Sequence, residues 1–396
     1  MREDWEYKTF GEIGSFLRGK NIQKADFVSG GLPCIHYGQI HTKFDISIDY
    51  HLSEIPQEVY DKAIIASPGD VIIAITSEDI DGSCKSVVWL GNYDIAVSAH
   101  AAILKHNMNG KFIAYYLRSN TFFTQKLKYA RGFKVMEIKT KDLAKLVLPI
   151  PPKPTQLSIV SELDKLNELI RIKKEQLKDY DALAQSIFYE MFGDPVENEK
   201  GWEVKKLGEL CSKIGSGATP RGGNESYKDE GISLIRSLNV YNNEFRRKDL
   251  AYIDDEQAAA LSNVTILEDD VLLNITGASV ARCCIVPSDL LPARVNQHVC
   301  IIRPLDNVLV PIFLNKVLTN ISYQIRLLTL ARNKGATREA LPKSVVDSLL
   351  VPLPPLSLQH SFAHKIEQIE RQKAEVQKTI TDLETLLAAR MQYWFD

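Results

Sequence analysis

The sequence predicts an α+β protein in which two tandem homologous domains of mixed α/β structure are joined by an antiparallel pair of long coiled-coil helices, in a pseudo-twofold arrangement. Three observations lead to this prediction. The length of 396 residues exceeds what one hydrophobic core usually organises, so two domains are expected. One order of sequence segments occurs twice, about 200 residues apart. Each copy then ends in a long heptad pattern, which is typical of coiled-coil helices.

The duplication is visible in three pairs of matching segments. Residues 5–13 (WEYKTFGEI) recur as 202–210 (WEVKKLGEL), residues 70–76 (DVIIAIT) recur as 270–276 (DVLLNIT), and residues 97–100 (VSAH) match 295–298 (VNQH). The second and third pairs contain or precede short apolar runs of the kind expected for buried strands. Because the order is the same in both copies, we predict one scaffold used twice.

Each copy closes with a proline-rich segment followed by a helical pattern. Pro149-Ile150-Pro151-Pro152 and Pro352-Leu353-Pro354-Pro355 stop the last strand, and the alignable glutamines Gln156 and Gln359 open the helices. We therefore predict a first domain over residues 1–153, a helix over 154–193, a second domain over 194–355 and a second helix over 356–396.

The apolar residues of both helices follow alternating steps of four and three, which define a seam. At about 1.5 Å per residue each seam is roughly 50 Å long, too long to be covered by domains of this size, so we expect the two seams to cover each other. Each contains one lysine, Lys173 or Lys373, expected to reach solvent or to pair with a glutamate of the other helix. The predicted seam residues are Ile159, Leu163, Leu166, Ile170 and Leu177 in the first helix and Phe362, Ile366, Ile369, Val376, Ile380 and Leu383 in the second.

Composition and motifs argue against several other classes of protein. The six cysteines form no Cys-x-x-Cys pair, so we expect buried free thiols and no metal site or disulfide. No apolar run approaches the roughly 20 residues of a membrane span and no signal peptide is recognisable, which predicts a cytoplasmic protein. The glycine-containing run 215–220 (GSGATP) lacks the Gly-Lys-Ser/Thr ending of a P-loop, and no cofactor is expected.

No catalytic constellation is recognisable in the sequence. His100 and His298 stand beside strand-like apolar residues with no adjacent nucleophile, so they are predicted to be structural. Paired carboxylates are not evident, and the Asn/Asp-Pro-Pro-Tyr/Phe motif of amino-methyltransferases is missing. The sequence thus favours a binding protein over an enzyme.

Positive charge is concentrated at the same place in both copies, although the net charge of the chain is only −2. Residues 111–145 contain nine lysines and arginines against Glu137 and Asp142, and residues 303–343 contain seven against Asp306 and Glu339. A solvated charged face would explain either cluster alone. Two related basic patches also suit a nucleic-acid duplex, whose phosphates attract cations irrespective of sequence.

The polar loops of the two copies differ, as expected if each copy reads a different short base sequence. The first copy has 18–24 (RGKNIQK) and 36–43 (HYGQIHTK) where the second has 215–224 (GSGATPRGGN) and 236–243 (RSLNVYNN). The predicted DNA-binding residues are Lys20, Gln23, Lys24, His36, Tyr37, Gln39, Thr76, Arg131 and Lys134 in the first copy, and Thr219, Arg221, Asn224, Arg236, Asn239, Tyr241, Asn242, Thr276, Arg332, Lys334 and Thr337 in the second.

The whole chain resembles the specificity subunits of type I restriction-modification systems. The resemblance rests on 191–195 (MFGDP) followed by Asn198, Gly201 and Trp202, on 217–220 (GATP), on 295–298 (VNQH) and on the Pro-x-Pro-Pro segments. The first copy departs from the family pattern because it lacks the Gly-x-Thr-Pro loop.

The resemblance implies two target recognition domains, each reading one half of a bipartite site in double-stranded DNA. It also implies helices that set the spacer and dock two methyltransferase subunits, with two restriction subunits attached through the methyltransferase core where the system has them. Catalysis would belong to those partners. Two alternatives stay open at this point: a self-sufficient DNA methyltransferase or nuclease, and a coiled-coil scaffold whose basic loops are merely solvated.

Overall fold

The computed structural model describes residues 5–132, 135–332 and 339–396, and the side chain of Asn224 is not part of the description. The chain forms two compact units. Unit 1 comprises residues 1–174 and 378–396, and unit 2 comprises residues 175–377. Each unit therefore holds one copy of the repeat together with a segment of each long helix.

Unit 1 combines short strands with short helices. Its strands are β1 (Glu6–Thr9), β2 (Gly14–Arg18), β3 (Leu32–Ile35), β4 (Ser47–Ile48), β5 (Ser53–Ile55), β6 (Ile64–Ala66), β7 (Val71–Ala74), β8 (Thr76–Ser77), β9 (Ser86–Trp89), β10 (Ile95–Val97), β11 (Ala101–His106), β12 (Met136–Glu137) and β13 (Val147–Ile150). Its short helices are α1 (Phe10–Ile13), α2 (Tyr37–Thr42), α3 (Gln57–Tyr60), α4 (Gly110–Tyr116), α5 (Asn120–Lys126) and α6 (Thr140–Leu143). The first long helix, α7, spans Lys153–Phe192.

Two mixed sheets form the centre of unit 1. One has the strand order β2-β11-β7-β9-β4 and the other β5-β3-β10-β6, while β1 pairs with β13 and β8 with β12. The strand β7 is buried along its whole length, as the continuous apolar run in its sequence predicts. Asp70 precedes it, accepts the Ser67 backbone N–H at 2.6 Å and is paired with Lys105 of the neighbouring β11 at 2.5 Å.

Unit 2 repeats this plan with fewer strands. Its strands are β14 (Glu203–Lys206), β15 (Cys211–Ser216), β16 (Ile232–Ile235), β17 (Val240–Tyr241), β18 (Glu244–Phe245), β19 (Ala251–Ile253), β20 (Val271–Asn274), β21 (Cys283–Ile285), β22 (Ala293–Val295), β23 (Val299–Pro304) and β24 (Leu350–Leu353). Its helices are α8 (Asp255–Ala260), α9 (Pro311–Leu318), α10 (Ile321–Ala331), α11 (Lys343–Asp347) and the second long helix α12 (Leu356–Phe395).

The sheets of unit 2 have the orders β15-β23-β20-β21 and β19-β16-β22, with smaller pairs β14-β24 and β17-β18. Asp270, which precedes β20, is fully buried and accepts two hydrogen bonds from Arg303 of β23, at 2.7 and 2.8 Å. It also accepts the Leu267 backbone N–H at 2.7 Å. The matching aspartates thus hold equivalent turns in the two copies, and each pairs with a cation on the equivalent strand, β11 in unit 1 and β23 in unit 2.

The long helices α7 and α12 each contain 40 residues. In unit 1 Glu162 pairs with Arg390, and Lys174 with Glu384 at 2.7 Å, so residue numbers rise along one helix as they fall along the other. In unit 2 Lys373 donates to Asp181 at 2.7 Å, and the Phe362 ring lies 5.7 Å from that of Phe188, so the order is again reversed. The helical segments in each unit are therefore antiparallel, and the carboxylate that pairs with Lys373 across the helices is an aspartate.

At the start of each helix the predicted seam residues are covered by the domain as well as by the other long helix. Ile159 and Leu163 are fully buried in the main core of unit 1, and Phe362 and Ile366 lie in the main core of unit 2. Each helix begins at the surface of its own domain and packs on it, and the other long helix also contributes, since Phe362 lies 5.7 Å from Phe188 and 5.2 Å from Phe192 between ring centroids. Leu166, Ile170, Ile369, Val376 and Ile380 are also buried, whereas Leu177 and Leu383 are half-buried.

A buried glutamine fixes the start of each long helix. In unit 2 Gln359 accepts the Val310 N–H at 2.9 Å and donates to the Pro354 and Val308 carbonyls at 2.9 and 3.2 Å. In unit 1 Gln156 donates to the Pro151 carbonyl at 2.9 Å and accepts the Asn109 N–H at 3.4 Å. The alignable glutamines of the sequence therefore attach each helix to its domain.

The cysteines are free thiols, five of them buried and Cys211 half-buried. Burial raises the pKa of Cys34, Cys84 and Cys300 to about 12, which makes them poor nucleophiles. Within the described ranges no helix is long and apolar enough to span a bilayer.

Candidate nucleic-acid interface

The polar loops of unit 2 are joined by a chain of side-chain hydrogen bonds. Thr276, just after β20, contacts the Nδ1 of His298 at 2.5 Å, and the Nε2 of His298 contacts Gln297 at 3.2 Å. Gln297 in turn is hydrogen-bonded to Thr219, in the Gly-x-Thr-Pro loop. The sequence-predicted residues Thr219 and Thr276 are thereby linked through the hydrogen-bonded imidazole of His298 and through Gln297.

A glycine makes this loop arrangement possible. A Cβ atom on Gly217 would lie 1.7 Å from the carbonyl oxygen of Val295. In unit 1 a Cβ atom on Gly19 would lie 2.2 Å from the carbonyl oxygen of Ser98. Both copies therefore need a glycine where this loop crosses the histidine-containing segment, although only the second has the full Gly-x-Thr-Pro sequence.

Beside this chain lies an open cavity of about 870 Å³, which we call the Tyr241 cavity. Its lining includes Ser237, Tyr241, Thr276, Arg282, His298 and Glu339. Hydroxyl, imidazole, guanidinium and carboxylate groups therefore meet at one concave surface. Such a mixture of donors and acceptors is what reading a base edge requires, whereas binding phosphate requires only donors and positive charge.

Tyr241 is stacked between charged neighbours in this cavity. The guanidinium carbons of Arg246 and Arg282 lie over its ring, at 3.6 and 4.2 Å from the centroid. Arg246 is paired with Glu244 through hydrogen bonds of 2.9 and 3.1 Å. Arg282 was not predicted from the sequence, and it is the backbone hydrogen bonds of the structure that place it opposite Lys85 of unit 1.

Asn239 and Arg236, which are also predicted to bind DNA, both form hydrogen bonds within the protein. Asn239 is fully buried, and its amide accepts the Arg236 N–H at 3.1 Å and donates to the carbonyls of Arg246 and Lys248. No hydrogen-bonding group of Asn239 is left for a base, so this arrangement does not support its predicted role. Arg236 donates to the Asp249 carbonyl and lies 5.3 Å from the Tyr227 ring centroid.

Asn242 does not line the Tyr241 cavity. It accepts the Cys283 N–H at 3.1 Å, donates to Gln324 at 3.3 Å, and lines a different cavity of about 680 Å³ between domain and long helices in unit 2. Its position therefore favours a role at the helices over base reading.

The remaining predicted residues of unit 2 are exposed or undescribed. Arg221 is exposed, and Arg332 is exposed and pairs with Glu339 at 2.9 Å. Lys334 and Thr337 lie outside the described residues, as does the side chain of Asn224.

In unit 1 the predicted residues of the second polar loop form a cluster of rings. The Tyr37 ring lies 4.6 Å from His36, 6.3 Å from His41 and 4.9 Å from His100, measured between centroids. Burial is the main cause that lowers the pKa of His36 below its ordinary value. The cluster is therefore a surface of aromatic rings in which the neutral form of His36 is favoured.

His36 and Gln39 are occupied by the protein itself. His36 accepts the Gly38 N–H through Nδ1 at 3.2 Å and so caps helix α2, while Gln39 accepts the His36 N–H at 2.9 Å and donates to Ser53 at 2.7 Å. A base contact by the Gln39 amide would have to replace these bonds, whereas the bond of His36 engages only its Nδ1 atom. Tyr37 is free of such a constraint, since the hydroxyl of Ser98 binds only its backbone N–H.

The other predicted positions of unit 1 lie on loops around this cluster. Lys20, Gln23, Lys24 and Arg131 are exposed, whereas Thr76 is buried and its carbonyl oxygen contacts the His41 ring at 3.0 Å. Lys134 lies outside the described residues. Arg18, which is not among the predicted DNA-binding residues, pairs with Glu137 at 3.2 Å.

The interpretation of the two basic stretches as free phosphate-binding patches is wrong for several of their members. Lys111 pairs with Asp164 of α7 at 2.8 Å, and Lys126 is 3% exposed and donates to the Ser83 carbonyl at 2.7 Å. In the second copy Arg303 holds the buried Asp270. These three cations bind groups of the protein itself and so stabilise the scaffold of their own unit.

A metal centre is not formed by the described residues, in which no group of three histidine, cysteine, aspartate or glutamate side chains is placed to hold an ion.

Comparison with known proteins assigns the family. Residues 2–179 and 199–385 each match the model of the type I restriction modification DNA specificity domain. The chain belongs to this family. It is a specificity subunit of a type I restriction-modification system, with two specificity domains in tandem.

Relatives of this specificity subunit occur in archaea and bacteria. The type I restriction enzyme MjaX specificity subunit of Methanocaldococcus jannaschii is 24% identical over 422 residues, covering 97% of this chain and 93% of that protein. The EcoBI specificity subunit of Escherichia coli is 22% identical over 412 residues, covering 96% and 82%.

Solved structures share the fold of this specificity subunit. A chain from a type I R-M system, studied for complex assembly and conformational transition, aligns over 100% of this chain and 98% of its own, with 18% identity and a TM-score of 0.62. The S subunit from M. genitalium aligns over 99% and 96%, with 13% identity and a TM-score of 0.57.

Proposed function

We propose that each unit of this specificity subunit reads one half of a bipartite site in double-stranded DNA, and that the long helices set the spacer between the half-sites. We further propose that the helices dock two methyltransferase subunits, to which restriction subunits attach where the system has them. The chain itself then carries out no catalytic step.

One observation carries this proposal: the two copies share their scaffold contacts but differ in the groups that their loops present. Asp70 and Asp270 hold the same turn in both copies. At the loops, by contrast, unit 1 presents the ring cluster of Tyr37 and unit 2 presents the Tyr241 cavity. Divergent hydrogen-bonding groups on a common frame are what two different base sequences require.

The experiment is to co-express the chain with its methyltransferase, measure the mass of the complex and map the methylated positions in the host genome. We expect a complex with two methyltransferase subunits and a methylation motif of two short half-sites separated by an unspecified spacer. A stable one-to-one complex with no higher species would contradict two equivalent docking surfaces.

The two alternative functions predict other results. If the chain were a self-sufficient enzyme, the purified chain alone would cut or methylate DNA when S-adenosylmethionine and magnesium are supplied. A protein scaffold would bind its partners but fail to bind any duplex, even in the complex.

The spacer can be tested by lengthening α7. Four residues inserted beside Lys173 add about 6 Å and rotate the seam little, because an α-helix rises 1.5 Å per residue and turns once in 3.6 residues. With base pairs about 3.4 Å apart, the tolerated spacer should grow by one or at most two base pairs. A seven-residue insertion should lengthen the tolerated spacer by about three base pairs. An active variant with an unchanged spacer, or with altered half-site bases, would contradict the proposal.

A further inference from the structure

We propose that Arg282 is a specificity-determining residue, which reads a guanine of the second half-site by donating two hydrogen bonds to the O6 and N7 atoms of that base. This inference rests on the proposed function and names the chemistry of one contact within it.

Arg282 occupies a scaffold position that recurs in unit 1 as Lys85. In unit 2 the Asn274 N–H donates to the Arg282 carbonyl at 2.8 Å, and the Ala281 N–H donates to the Asn274 carbonyl at 2.8 Å. In unit 1 the Ala74 N–H donates to the Lys85 carbonyl at 2.8 Å, and the residue before Lys85 donates to the Ala74 carbonyl at 2.9 Å. Both preceding residues have positive φ, 72° for Ala281 and 65° for Cys84. The backbone therefore places the two cations equivalently.

The two side chains are used differently. The Lys85 ammonium donates to the His41 carbonyl at 2.7 Å, and burial is the first cause that lowers its pKa. Lys85 is thus a structural residue of unit 1. Arg282 lies over the Tyr241 ring, lines the Tyr241 cavity, and has no carboxylate within ion-pair distance among residues of the described ranges. Its donors are therefore available to a ligand.

The surroundings favour a base edge over a phosphate. A phosphate in the Tyr241 cavity would meet the carboxylate of Glu339, which lines the same surface. A guanine edge carries no net charge and offers two acceptors, which match the planar fork of a guanidinium group. The hydroxyl groups of Ser237 and Thr276, also in the lining, are donors and acceptors suited to a base pair.

Stacking on Tyr241 prepares Arg282 for this contact. A guanidinium group lying over an aromatic ring has fewer orientations to lose when it binds. The second arginine at this ring, Arg246, is already paired with Glu244 and so has fewer donors to offer. Arg282 is therefore the arginine of this cluster that is placed to read a base.

The test compares Arg282→Gln, Arg282→Ala and Arg247→Gln in the complex with the methyltransferase. Arg247 is a matched control, because it is an exposed arginine of the same unit that pairs with Asp289 at 2.8 Å and does not line the Tyr241 cavity. Methylated positions are mapped for each variant, and binding is measured with duplexes that carry each base at every half-site position. Thermal unfolding of each complex reports whether the variant is folded.

We expect Arg282→Ala to lose its preference for guanine at one position of one half-site, by about 5- to 150-fold, with the other half-site and the spacer unchanged. Arg282→Gln should shift the preference at that position towards adenine, since glutamine pairs with the N6 and N7 atoms of adenine. The gain for adenine cannot result from a damaged fold. Arg247→Gln should leave the motif as in the wild type.

Four results would overturn the inference. A uniform loss of affinity across sequences, with the salt slope lowered by about one, would make Arg282 a phosphate-binding residue. An unchanged motif would show that Arg282 has no part in base recognition. Loss of the motif with Arg247→Gln as well would show that the effect is not specific to Arg282. An unfolded Arg282→Gln complex would make the side chain structural. Failure of the proposed function itself is distinguishable, because the wild-type complex would then show no bipartite motif.

Discussion

Gln359 should be the most sensitive position at the junction between a domain and its long helix. The side chain is fully buried and makes hydrogen bonds with the Val310 amide and with the Pro354 and Val308 carbonyls. Gln359→Ala leaves all three backbone groups without this partner, and water would have to enter a buried site to replace it. A buried polar group that loses its partner costs about 1 to 3 kcal/mol.

The three losses are coupled, so we expect Gln359→Ala to lower the free energy of unfolding by about 3 to 5 kcal/mol. That is a large part of the roughly 5 to 15 kcal/mol that stabilises most proteins. Gln156→Ala is the matched comparison. Its side chain has one short bond, to the Pro151 carbonyl, and a long one of 3.4 Å to the Asn109 amide, so we expect a smaller loss of about 1 to 3 kcal/mol.

Urea unfolding of the purified chain measures both values, and methylation mapping of the complex measures the functional effect. If the glutamine holds the helix at a fixed angle to its domain, Gln359→Ala should broaden the range of tolerated spacers and leave the half-site bases as they were. The reasoning is refuted if Gln359→Ala costs less than Gln156→Ala, or if the surviving complex reads different bases with an unchanged spacer.

Three further perturbations follow from the contacts. Asn239→Ala should cost about 1 to 3 kcal/mol in urea unfolding without altering the methylated motif, and an altered second half-site would restore Asn239 as a base-reading residue. Lys126→Met removes a buried ammonium that holds the loop before β9, so we expect faster amide hydrogen exchange over residues 79–83, and unchanged exchange there would argue against that role. The hydrogen bond from Arg390 lowers the pKa of Glu162 below its ordinary value of 4.5, so the pair stabilises the native state fully above pH 4.5 and loses this effect as the pH falls through the lowered pKa. Thermal unfolding of wild type and Glu162→Gln should therefore differ at pH 7 and converge in acid, and a difference that grows in acid would contradict the assigned direction.

The duplicated features were the predictable part of this fold. The matching aspartates and glutamines could be found because both copies repeat them at the same place in the order of elements, and the structure gives each pair equivalent bonds. The two long helices could be predicted from their heptad patterns, since a period of 3.5 residues over many turns has few other structural explanations. Their antiparallel course follows from the same repeat.

What covers an apolar or charged residue could not be predicted from the sequence. A heptad pattern shows that Ile159 and Phe362 are buried, but it does not show that the core of the same domain covers them together with the partner helix. A run of lysines likewise does not show that Lys111 meets Asp164, because that carboxylate comes from a segment 53 positions away in the chain. Charge in a sequence is local, whereas the pairing that neutralises it is set by the tertiary fold.

The repeat also separates two kinds of polar residue, and this separation bears on how such a protein can change its specificity. Where both copies form the same bond, as Asp70 and Asp270 do, the side chain stabilises the scaffold and its replacement should cost stability in either unit. Where an equivalent backbone position supports different contacts, as at Lys85 and Arg282, the scaffold tolerates either side chain and leaves it free to acquire a function. Base preference can therefore change at the second kind of position with little effect on folding, because the hydrogen bonds that define the frame are made by other residues. Equivalent positions with unequal contacts are thus the places where the determinants of sequence recognition should be sought.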